Sequence, residues 1–465
     1  MTLRNNPSLT LLAVVVVTIT TAWCPLLHAE KTLQQRVDRL VQPYLDNEIV
    51  VGLTIGVLHD DKESFFGYGR MSQNDGRVPN ADTIYEIGST SKVFTGLLLA
   101  DAVAHGHVRL DQAASELLPA GVSMPSHGEQ TITLQHLATH VSGLSRLPDN
   151  LKVTDFENPY ATYTLRDLYT FLNGHKLDSA PGERREYSNL GMGLLGHLLA
   201  RRQNRTYEQL LRDQLASPLN MTSTTITLNE RQRARLASPY SADRQPTAKW
   251  DLRTLAGAGA IRSTARDMLR LAKANLAPPE GKLGEAIELA WKVHQKPLVK
   301  GQPAMGLGWH VAGDGSTRLH NGQTGGYHSM FLISRKLNAS VVLLTNTSTT
   351  QVDQLAQDIL KVLAGATVEP RSFEKNIKVP REVMQRYVGR YELTPEIAFT
   401  VTLKDDNLMV KLTGQPAFRV YARSQTQWHY RVVPAKLTFE VGENGKCVAL
   451  VLFQNGVRQK AKRVE

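Results

Sequence analysis

Apolar residues form two different patterns along the chain, one with helical spacing and one typical of β-strands. Residues 31–45 place apolar side chains on one face at helical spacing, which predicts an amphipathic helix formed around Leu33, Val37, Leu40, Val41 and Tyr44. The β-rich runs IVVGLTIGVL and ESFFGYGR follow, and the turn-forming residues HDDK separate them. These two runs predict a β-hairpin that starts a sheet.

The middle of the chain has helical periodicity as far as about residue 298, with loops rich in Pro, Asn and Gly. Strands are expected again at GLGWHV (306–311) and within SMFLISRKLNASVVLLTN (329–346), followed by a helix at 351–364. A sheet that begins near the N-terminus and ends near residue 345, with helices inserted between, is an α/β arrangement in which the insert forms its own lobe. A cleft between sheet and lobe is the expected position of a site.

The pattern changes once more near the C-terminus. Residues 366–381 contain two prolines and mixed charges, which indicates a linker. Short alternating strands then follow in residues 382–465, joined by Asp-Asp, Glu-Asn and Asn-Gly turns. This spacing predicts a second, small domain that is an antiparallel β-barrel or sandwich.

The first 29 residues are typical of a secretory signal peptide. Arg4 precedes a 15-residue apolar segment, Leu9 to Trp23, and LHA precedes Glu30. That segment is shorter than the roughly 18 apolar residues that a membrane span requires. Cleavage after Ala29 would remove Cys24, leave Cys447 as the single cysteine, and place the protein in the periplasm or outside the cell. Lipidation of Cys24 is the alternative, and the bulky Trp23 before it disfavours that interpretation.

Composition and charge restrict the partners. Hydrophobic residues make up 42% of the 465 residues and charged residues 21%, as in globular proteins. The net charge is +11, and residues 371–465 contain 17 Lys and Arg against nine Asp and Glu, a surplus of +8. Nucleic acid would be an unusual partner for an exported protein. An anionic envelope surface suits this charge, and solubilising charge on strand faces is the plainer alternative.

Ser89 and Lys92 lie three residues apart in EIGSTSKVFTGLLLA, just where an apolar helix begins. Residues at this spacing lie on one helix face, so the amine and the hydroxyl can touch. A buried lysine with a lowered pKa can take the proton of a serine, which is otherwise a poor nucleophile. The alternative is structural: Ser89 or Ser91 caps the helix, and Lys92 points into solvent.

Two segments resemble the class C β-lactamase and D-alanyl-D-alanine peptidase group of serine hydrolases. GSTSKVFTG is similar to their Ser-x-x-Lys motif, and YSN at 187–189 is similar to their Tyr-x-Asn motif. The resemblance implies that Ser89 is the nucleophile and that Tyr187 shares proton transfer with Lys92. It also implies that Asn189 binds the substrate amide.

The third motif of that group is Lys-Thr-Gly or His-Thr-Gly, and HNG at 320–322 is similar to it. The resemblance implies that His320, Asn321, Gly322 and Gln323 bind substrate, and that the backbone N–H groups of Ser89 and Gln323 form an oxyanion hole. His320 replaces the lysine typical of class C β-lactamases, and Asn321 replaces the threonine that meets a substrate carboxylate. Because histidine is only partly charged near neutral pH, the site should bind an anionic group more weakly.

The resemblance covers residues 33 to 364. For residues 30–365 it implies a β-lactamase/transpeptidase-like fold, in which helices flank an antiparallel sheet with a helical lobe. Separately, YVGRYEL at 387–393 resembles the start of the lipocalin-like domain often appended to these enzymes. The implied function is an exported hydrolase that forms an acyl-enzyme with small-molecule β-lactams or D-Ala-D-Ala-like peptides. A carboxylesterase of the same fold and a penicillin-binding sensor with little turnover are the alternatives.

No cofactor or metal is expected. The histidine pairs at 105 and 107 and at 136 and 140 lack a third ligand in sequence, and the chain has no His-Glu-x-x-His motif.

Overall fold

The computed structural model describes residues 1–2, 32–373 and 376–464. Apart from residues 1–2, the predicted signal peptide lies outside the described residues. Within the ranges described, no helix has both the length and the apolar character needed to cross a bilayer.

The predicted helices and strands before residue 364 form mostly where the apolar pattern places them. The helices of this region are α1 (Leu33–Asp46), α2 (Ser91–Ala104), α3 (Leu134–Ala138), α4 (Leu165–Gly174), α5 (Asn189–Arg202), α6 (Tyr207–Leu210), α7 (Glu230–Arg233), α8 (Ala256–Gly259), α9 (Ala265–Leu276), α10 (Lys282–Trp291) and α11 (Asp353–Leu363). Its strands are β1 (Gly52–His59), β2 (Lys62–Gly69), β3 (Tyr85–Glu86), β4 (Ser126–His127), β5 (Gln130–Thr131), β6 (Arg262–Ser263), β7 (Ala304–Met305), β8 (His310–Val311), β9 (Thr317–Gln323), β10 (His328–Ser334) and β11 (Ala339–Thr345).

The main sheet joins the two ends of this region. Its strand order is β2-β1-β11-β10-β9-β8-β7, and every described neighbouring pair is antiparallel. Strand β1 lies beside β11, with Ile55 opposite Leu343. The predicted hairpin of β1 and β2 is confirmed, and the sheet carries β9, which contains the third motif.

Helices cover both faces of the sheet, which explains why β1 and β11 read as continuous apolar runs. On one face α1 and α11 pack over a core that includes Val37, Ile55, Leu343 and Ile359. On the other face α9 packs against β1 and β11, and a Cβ atom added to Gly56 would lie 3.2 Å from Leu269 Cγ. The predicted fold class, an antiparallel sheet flanked by helices, is confirmed.

The helical lobe is built around α2 and α5, and α2 is buried from Ser91 to Ala102. Helix α8 packs very closely on α5. A Cβ atom added to Gly257 would lie 2.7 Å from the Met192 carbonyl oxygen, so only glycine permits this approach. As a result, the backbone of α8 reaches the start of α2.

The segment GLGWHV, predicted to be a strand, is mostly a turn, and only its last two residues form β8. The N–H of Gly306 donates to the Trp309 carbonyl at 2.9 Å, and Gly308 has a positive φ of 71°. A Cβ atom on Gly308 would lie 2.2 Å from the Lys92 carbonyl oxygen. The segment therefore turns so that its backbone can pack against the start of α2.

The C-terminal region forms a closed antiparallel barrel, which confirms the barrel rather than the sandwich. It comprises α12 (Arg381–Gln385) and the strands β12 (Gly389–Thr394), β13 (Ile397–Lys404), β14 (Asn407–Leu412), β15 (Ala417–Ala422), β16 (Gln427–Tyr430), β17 (Ala435–Val441), β18 (Cys447–Gln454) and β19 (Val457–Arg463). Pairing of β12 with β19 closes the barrel. The alternating pattern did not predict β19, because Ala461 is its one buried residue.

Between α11 and α12 the described residues form neither helix nor strand, and this stretch includes most of the predicted linker, residues 366–381. Part of it still packs on the sheet region. The ring of Phe373 meets that of Tyr44 edge-on, with 4.9 Å between the centroids.

Candidate active site

Ser89 and Lys92 are in contact. Strand β3 leads into a tight turn at Gly88–Thr90 and then into α2, so Ser89 lies one helical turn before Lys92. The Nζ atom of Lys92 is 2.9 Å from Ser89 Oγ. Lys92 does not point into solvent, since its side chain is fully buried, and the Ser91 hydroxyl accepts a hydrogen bond from the Ile261 N–H. The capping alternative therefore does not describe this helix start.

The surroundings of Lys92 favour a neutral amine. Burial lowers the pKa of Lys92 well below its usual value, and the positive charge of Arg146 lowers it further. The amine donates to Asn189 Oδ1 at 2.9 Å and to the Ala258 carbonyl oxygen at 2.7 Å. Both atoms only accept hydrogen bonds, and in the neutral form of the amine its two N–H groups engage them. The lone pair is then left facing the hydroxyl of Ser89.

Tyr187 is the third group at this point. Lys92 Nζ lies 4.8 Å from the centroid of its ring. Burial raises the pKa of Tyr187 to about 12, although hydrogen bonding with the Ser89 hydroxyl acts to lower it. The phenol is therefore protonated near neutral pH and is a proton donor or relay rather than a base.

The loop before α5 fixes Asn189. Ser188 is the N-cap of α5: its hydroxyl accepts from the Gly191 N–H at 2.8 Å and donates to the Ser145 carbonyl at 2.7 Å. The Nδ2 atom of Asn189 donates to the Tyr160 hydroxyl at 3.3 Å. Both ends of the amide are thus held by the protein, with the oxygen on Lys92 and the nitrogen on Tyr160.

The register of β9 against β10 decides which motif side chains face the nucleophile. His320 lies opposite Phe331, whose ring belongs to the core on the lobe side of the sheet. Asn321 lies opposite Met330, which belongs to the core under α1 and α11. Neighbouring residues in a strand point to opposite faces, so His320 faces the lobe and Asn321 faces α11.

The side chain of Asn321, a predicted substrate-binding residue, does not face the nucleophile. Its Nδ2 atom donates to Asp353 Oδ2 at 2.8 Å, on the face of the sheet away from Ser89. Asp353 also pairs with His328 Nε2 at 2.6 Å, and His328 Nδ1 lies 3.1 Å from Gln323 Oε1. The side chains of Asn321 and Gln323 thus brace the end of β9, and neither is directed toward the nucleophile.

His320 is on the correct face but is not a cation. Burial lowers its pKa well below its usual value, and His310 and Lys92 add to the shift. Its Nδ1 atom lies 2.5 Å from the Asn321 carbonyl, and Nε2 has no hydrogen-bond partner in the described part of the chain. A neutral imidazole therefore stands beside Tyr187, with 6.3 Å between the ring centroids.

Gly322 brings β9 into direct contact with the nucleophile turn. A Cβ atom at Gly322 would lie 2.7 Å from the Ser89 nitrogen, and one at Gly88 would lie 2.6 Å from the Gln323 nitrogen. Gly88 also has a positive φ of 50°. The two backbone N–H groups expected to form an oxyanion hole are therefore brought close together, and glycine is required on both sides.

The Gln323 N–H also has a suitable direction. The Thr324 N–H donates to the Tyr327 carbonyl at 3.0 Å. Hydrogen-bonded and non-hydrogen-bonded pairs alternate in an antiparallel ladder, so the next pair, Gln323 with His328, is of the second type. The Gln323 N–H therefore points away from β10 and takes no part in the pairing of these two strands.

Sequence reasoning missed several groups at the site. The Ala258 carbonyl is a backbone acceptor, which side-chain motifs do not indicate. Arg146 is exposed, and its guanidinium carbon lies 5.2 Å from the centroid of the Tyr187 ring. His310 lies parallel to that ring at 6.5 Å, and burial lowers its pKa to about 4. In the ranges described, no group of three or more His, Cys, Asp and Glu residues is placed to hold a metal ion.

Comparison with protein families gives two matches. The beta-lactamase family model matches residues 37–366. A second model, described as a domain of unknown function (DUF3471), matches residues 374–463.

Two curated relatives have closely related names. A beta-lactamase of Yersinia enterocolitica is 30% identical over 286 residues, which cover 59% of this chain and 68% of that protein. The D-alanyl-D-alanine-carboxypeptidase/endopeptidase AmpH of Escherichia coli strain K12 is 30% identical over 235 residues, which cover 50% of this chain and 60% of that one.

Among solved structures, the beta-lactamase/D-alanine carboxypeptidase of Yersinia pestis, complexed with citrate, superposes with a TM-score of 0.63 at 24% identity. The match covers 71% of this chain and 98% of that one, and at this identity it supports the fold alone. The family match extends over most of the chain and contains the contact between Ser89 and Lys92. The chain therefore belongs to the beta-lactamase family and is a serine hydrolase of the β-lactamase and D,D-peptidase type.

Proposed function

We propose that this protein is an exported hydrolase that forms an acyl-enzyme on Ser89 with β-lactams or D-Ala-D-Ala-like peptides. The observation that carries the proposal is the placement of Lys92 Nζ. It lies 2.9 Å from Ser89 Oγ, while Asn189 and Ala258 engage its other two positions. A buried neutral amine with its lone pair on the serine hydroxyl is a general base ready for use.

The reaction then proceeds in two halves. Ser89 Oγ attacks the substrate carbonyl carbon, and its proton passes to Lys92. The N–H groups of Ser89 and Gln323 stabilise the negative oxygen of the tetrahedral intermediate. When the C–N bond breaks, Lys92 returns the proton to the leaving nitrogen through the Tyr187 phenol. Water then attacks the ester carbonyl carbon and gives its proton to Lys92. The bond between that carbon and Ser89 Oγ breaks, Lys92 returns the proton to Ser89 Oγ, and the acid product leaves.

Arg146 supports substrates that carry a carboxylate. His320 is neutral and Asn321 faces α11, so the third motif supplies neither of its usual anion contacts. The guanidinium of Arg146 is exposed over the Tyr187 ring and pairs with no carboxylate in the described ranges. We assign to it the role of facing the substrate carboxylate, and to Asn189 the role of a substrate amide contact once it is displaced from Tyr160.

The names of the relatives support the substrate classes, since they are a beta-lactamase and a D-alanyl-D-alanine-carboxypeptidase/endopeptidase. The basic N-terminus and apolar segment of residues 1–29 support export to the periplasm or beyond. The surplus of positive charge in residues 371–465 supports contact with an anionic envelope. The closed barrel of β12–β19 supports a lipocalin-like domain in that region.

A carboxylesterase is the second candidate, and one observation favours it. The group that replaces the motif lysine, His320, is buried and neutral, so the site can accept an ester without a carboxylate. A sensor that is labelled but turns over slowly would share the same nucleophile.

The three outcomes separate in a parallel assay of nitrocefin, a D-Ala-D-Ala peptide and p-nitrophenyl acetate. Turnover of either of the first two supports the main proposal. Turnover of p-nitrophenyl acetate alone would replace the main proposal with the esterase. Stoichiometric labelling without turnover of any substrate would replace it with the sensor.

A further inference from the structure

A buried carboxylate lies at the seam between the barrel and the hydrolase region. Asp243 is 7% exposed, and its Oδ1 atom has no hydrogen-bond partner in the described part of the chain. It belongs to residues 239–250, here called the 239–250 loop. A buried carboxylate is costly unless charges compensate it, so its partners indicate what the loop requires.

Those partners come from the barrel. Burial raises the pKa of Asp243, whereas the Tyr421 hydroxyl and the guanidinium groups of Arg431 and Arg419 act to lower it. The Tyr421 ring lies under both cations, with guanidinium carbons 4.1 Å and 4.6 Å from its centroid for Arg431 and Arg419 respectively. One aromatic ring and two cations of the barrel, here called the receptor, thus act electrostatically on the carboxylate of the loop.

Further bonds hold this receptor in place. Arg431 donates to the carbonyl oxygens of Glu48 and Asn47, at 3.0 Å and 3.2 Å, where α1 ends. Arg244, the residue after Asp243, pairs with Glu48 Oε2 at 2.9 Å. The barrel, α1 and the loop are therefore tied together at one point.

The other side of the loop lies on the turn between β9 and β10. The Tyr240 N–H donates to the carbonyl oxygens of Gly326 and Asn346, at 3.2 Å and 3.0 Å. A Cβ atom on Gly326 would lie 2.1 Å from Pro239 Cβ, and one on Gly325 would lie 2.7 Å from Trp250 Nε1. The loop therefore packs directly on Gly325 and Gly326, which follow Thr324 just after the third motif.

Trp250, at the end of the loop, connects to the segments that carry the other two motifs. The backbone N–H of Trp250 donates to Glu86 Oε2 at 3.3 Å, and Glu86 lies three residues before Ser89. The ring of Trp250 meets Tyr160 edge-on at 5.4 Å, and Tyr160 accepts the hydrogen bond of Asn189. A shift of this loop would consequently displace residues next to all three motifs of the site.

We propose that the barrel positions the 239–250 loop through Asp243, and that the loop sets which acyl groups the site accepts. Asp243, Tyr421, Arg419 and Arg431 are positioning residues, since none of them touches the nucleophile. The selectivity part rests on the proposed function, whereas the placement of the loop does not. The barrel thereby acts on the site through the loop.

The test uses the full chain with Tyr421→Ala and Asp243→Asn. The first removes the ring between the two cations, and the second removes the buried charge with almost no change in shape. Lys460→Ala is the matched control, because Lys460 pairs with Glu440 on the barrel surface. The readouts are hydrogen exchange of peptides from residues 239–250 and acylation by a fluorescent penicillin compared with p-nitrophenyl acetate.

Both variants should speed exchange in residues 239–250 by about tenfold while exchange in β13, β17 and β18 stays unchanged. KM for the bulky penicillin should rise by about fivefold, and kcat/KM for the small acetate should stay within about twofold. Unchanged exchange in the loop, or an equal increase throughout the protein, would overturn the proposal. If the wild type is not labelled by penicillin, the proposed function fails, and the exchange result still decides whether the barrel holds the loop.

Discussion

Lys92 Nζ lies 4.8 Å from the centroid of the Tyr187 ring, and burial moves the pKa values of the two groups in opposite directions. The pKa of Lys92 falls because its charged form is the ammonium, and that of Tyr187 rises because its charged form is the phenolate. Two groups that share one serine are thus separated into a base and a proton donor. The division of labour follows from burial and does not require a metal or cofactor in the proposed steps.

Replacing Lys92 by Met should lower the rate of acylation by about 10³-fold, because the serine loses its base while the shape of the side chain is nearly kept. Stopped-flow measurement with a fluorescent penicillin gives this rate. Lys273→Met, on the exposed side of α9, is the control and should react like the wild type. A Lys92→Met variant that acylates within tenfold of the wild type would mean that another group takes the proton.

The acid side of the pH profile should move when Arg146 is replaced by Gln. Lys92 acts only without its extra proton, so activity is lost as pH falls through its pKa. The charge of Arg146 disfavours that proton, and its removal raises the pKa of Lys92. The acid limb of kcat/KM for p-nitrophenyl acetate should therefore shift to higher pH. With Arg231→Gln, an exposed control on α7, it should stay in place. A shift of the Arg146 variant toward lower pH contradicts the assignment of Lys92 as the titrating base.

Arg146 should also discriminate between charged and neutral substrates. With Arg146→Gln, KM for a D-Ala-D-Ala peptide that ends in a free carboxylate should rise by about tenfold, and KM for the same peptide with a C-terminal amide should change by less than about twofold. Arg146→Lys should restore part of the difference, because it keeps the charge without the two-pronged geometry. Equal changes for both peptides would remove Arg146 from carboxylate recognition.

Gly322→Ala should abolish acylation even in a folded protein. The added Cβ atom would lie 1.9 Å from the Ile87 carbonyl oxygen and 2.7 Å from the Ser89 nitrogen, so β9 must move away from the nucleophile turn. Loss of one oxyanion donor costs about 10²- to 10³-fold in rate, and overpacking costs about 1–3 kcal/mol of stability. Gly313→Ala is the matched control, since nothing lies within 4 Å of its added Cβ atom. A Gly322→Ala variant with normal acylation would show that the N–H pair does not hold the oxyanion.

The contact between Ser89 and Lys92 was accessible from sequence because helical spacing fixes it within one turn. The hairpin and most barrel strands were accessible because buried apolar residues mark them. The contact of the Ala258 carbonyl with Lys92 could not be predicted from sequence, because any residue supplies a backbone oxygen. Strand β19 was missed because most of its side chains are exposed and four of its seven residues are charged.

The direction of the Asn321 side chain could not be predicted for a different reason. Adjacent strand residues face opposite sides, so His320 and Asn321 cannot both have side chains pointing squarely at the nucleophile. The motif resemblance gave the order of the residues, whereas the pairing of β9 with β10 decides their faces. In the same way, sequence alone could not place the barrel against the 239–250 loop, because that contact joins residues almost 200 positions apart.

The most direct test of the central claim is to identify the acylated residue. The full chain is incubated with a fluorescent penicillin, and both the intact mass and the labelled peptide are determined by mass spectrometry. We predict one equivalent of adduct, carried by the peptide that contains Ser89, and no adduct in Ser89→Ala. An adduct on any other residue, or label retained by Ser89→Ala, contradicts the account.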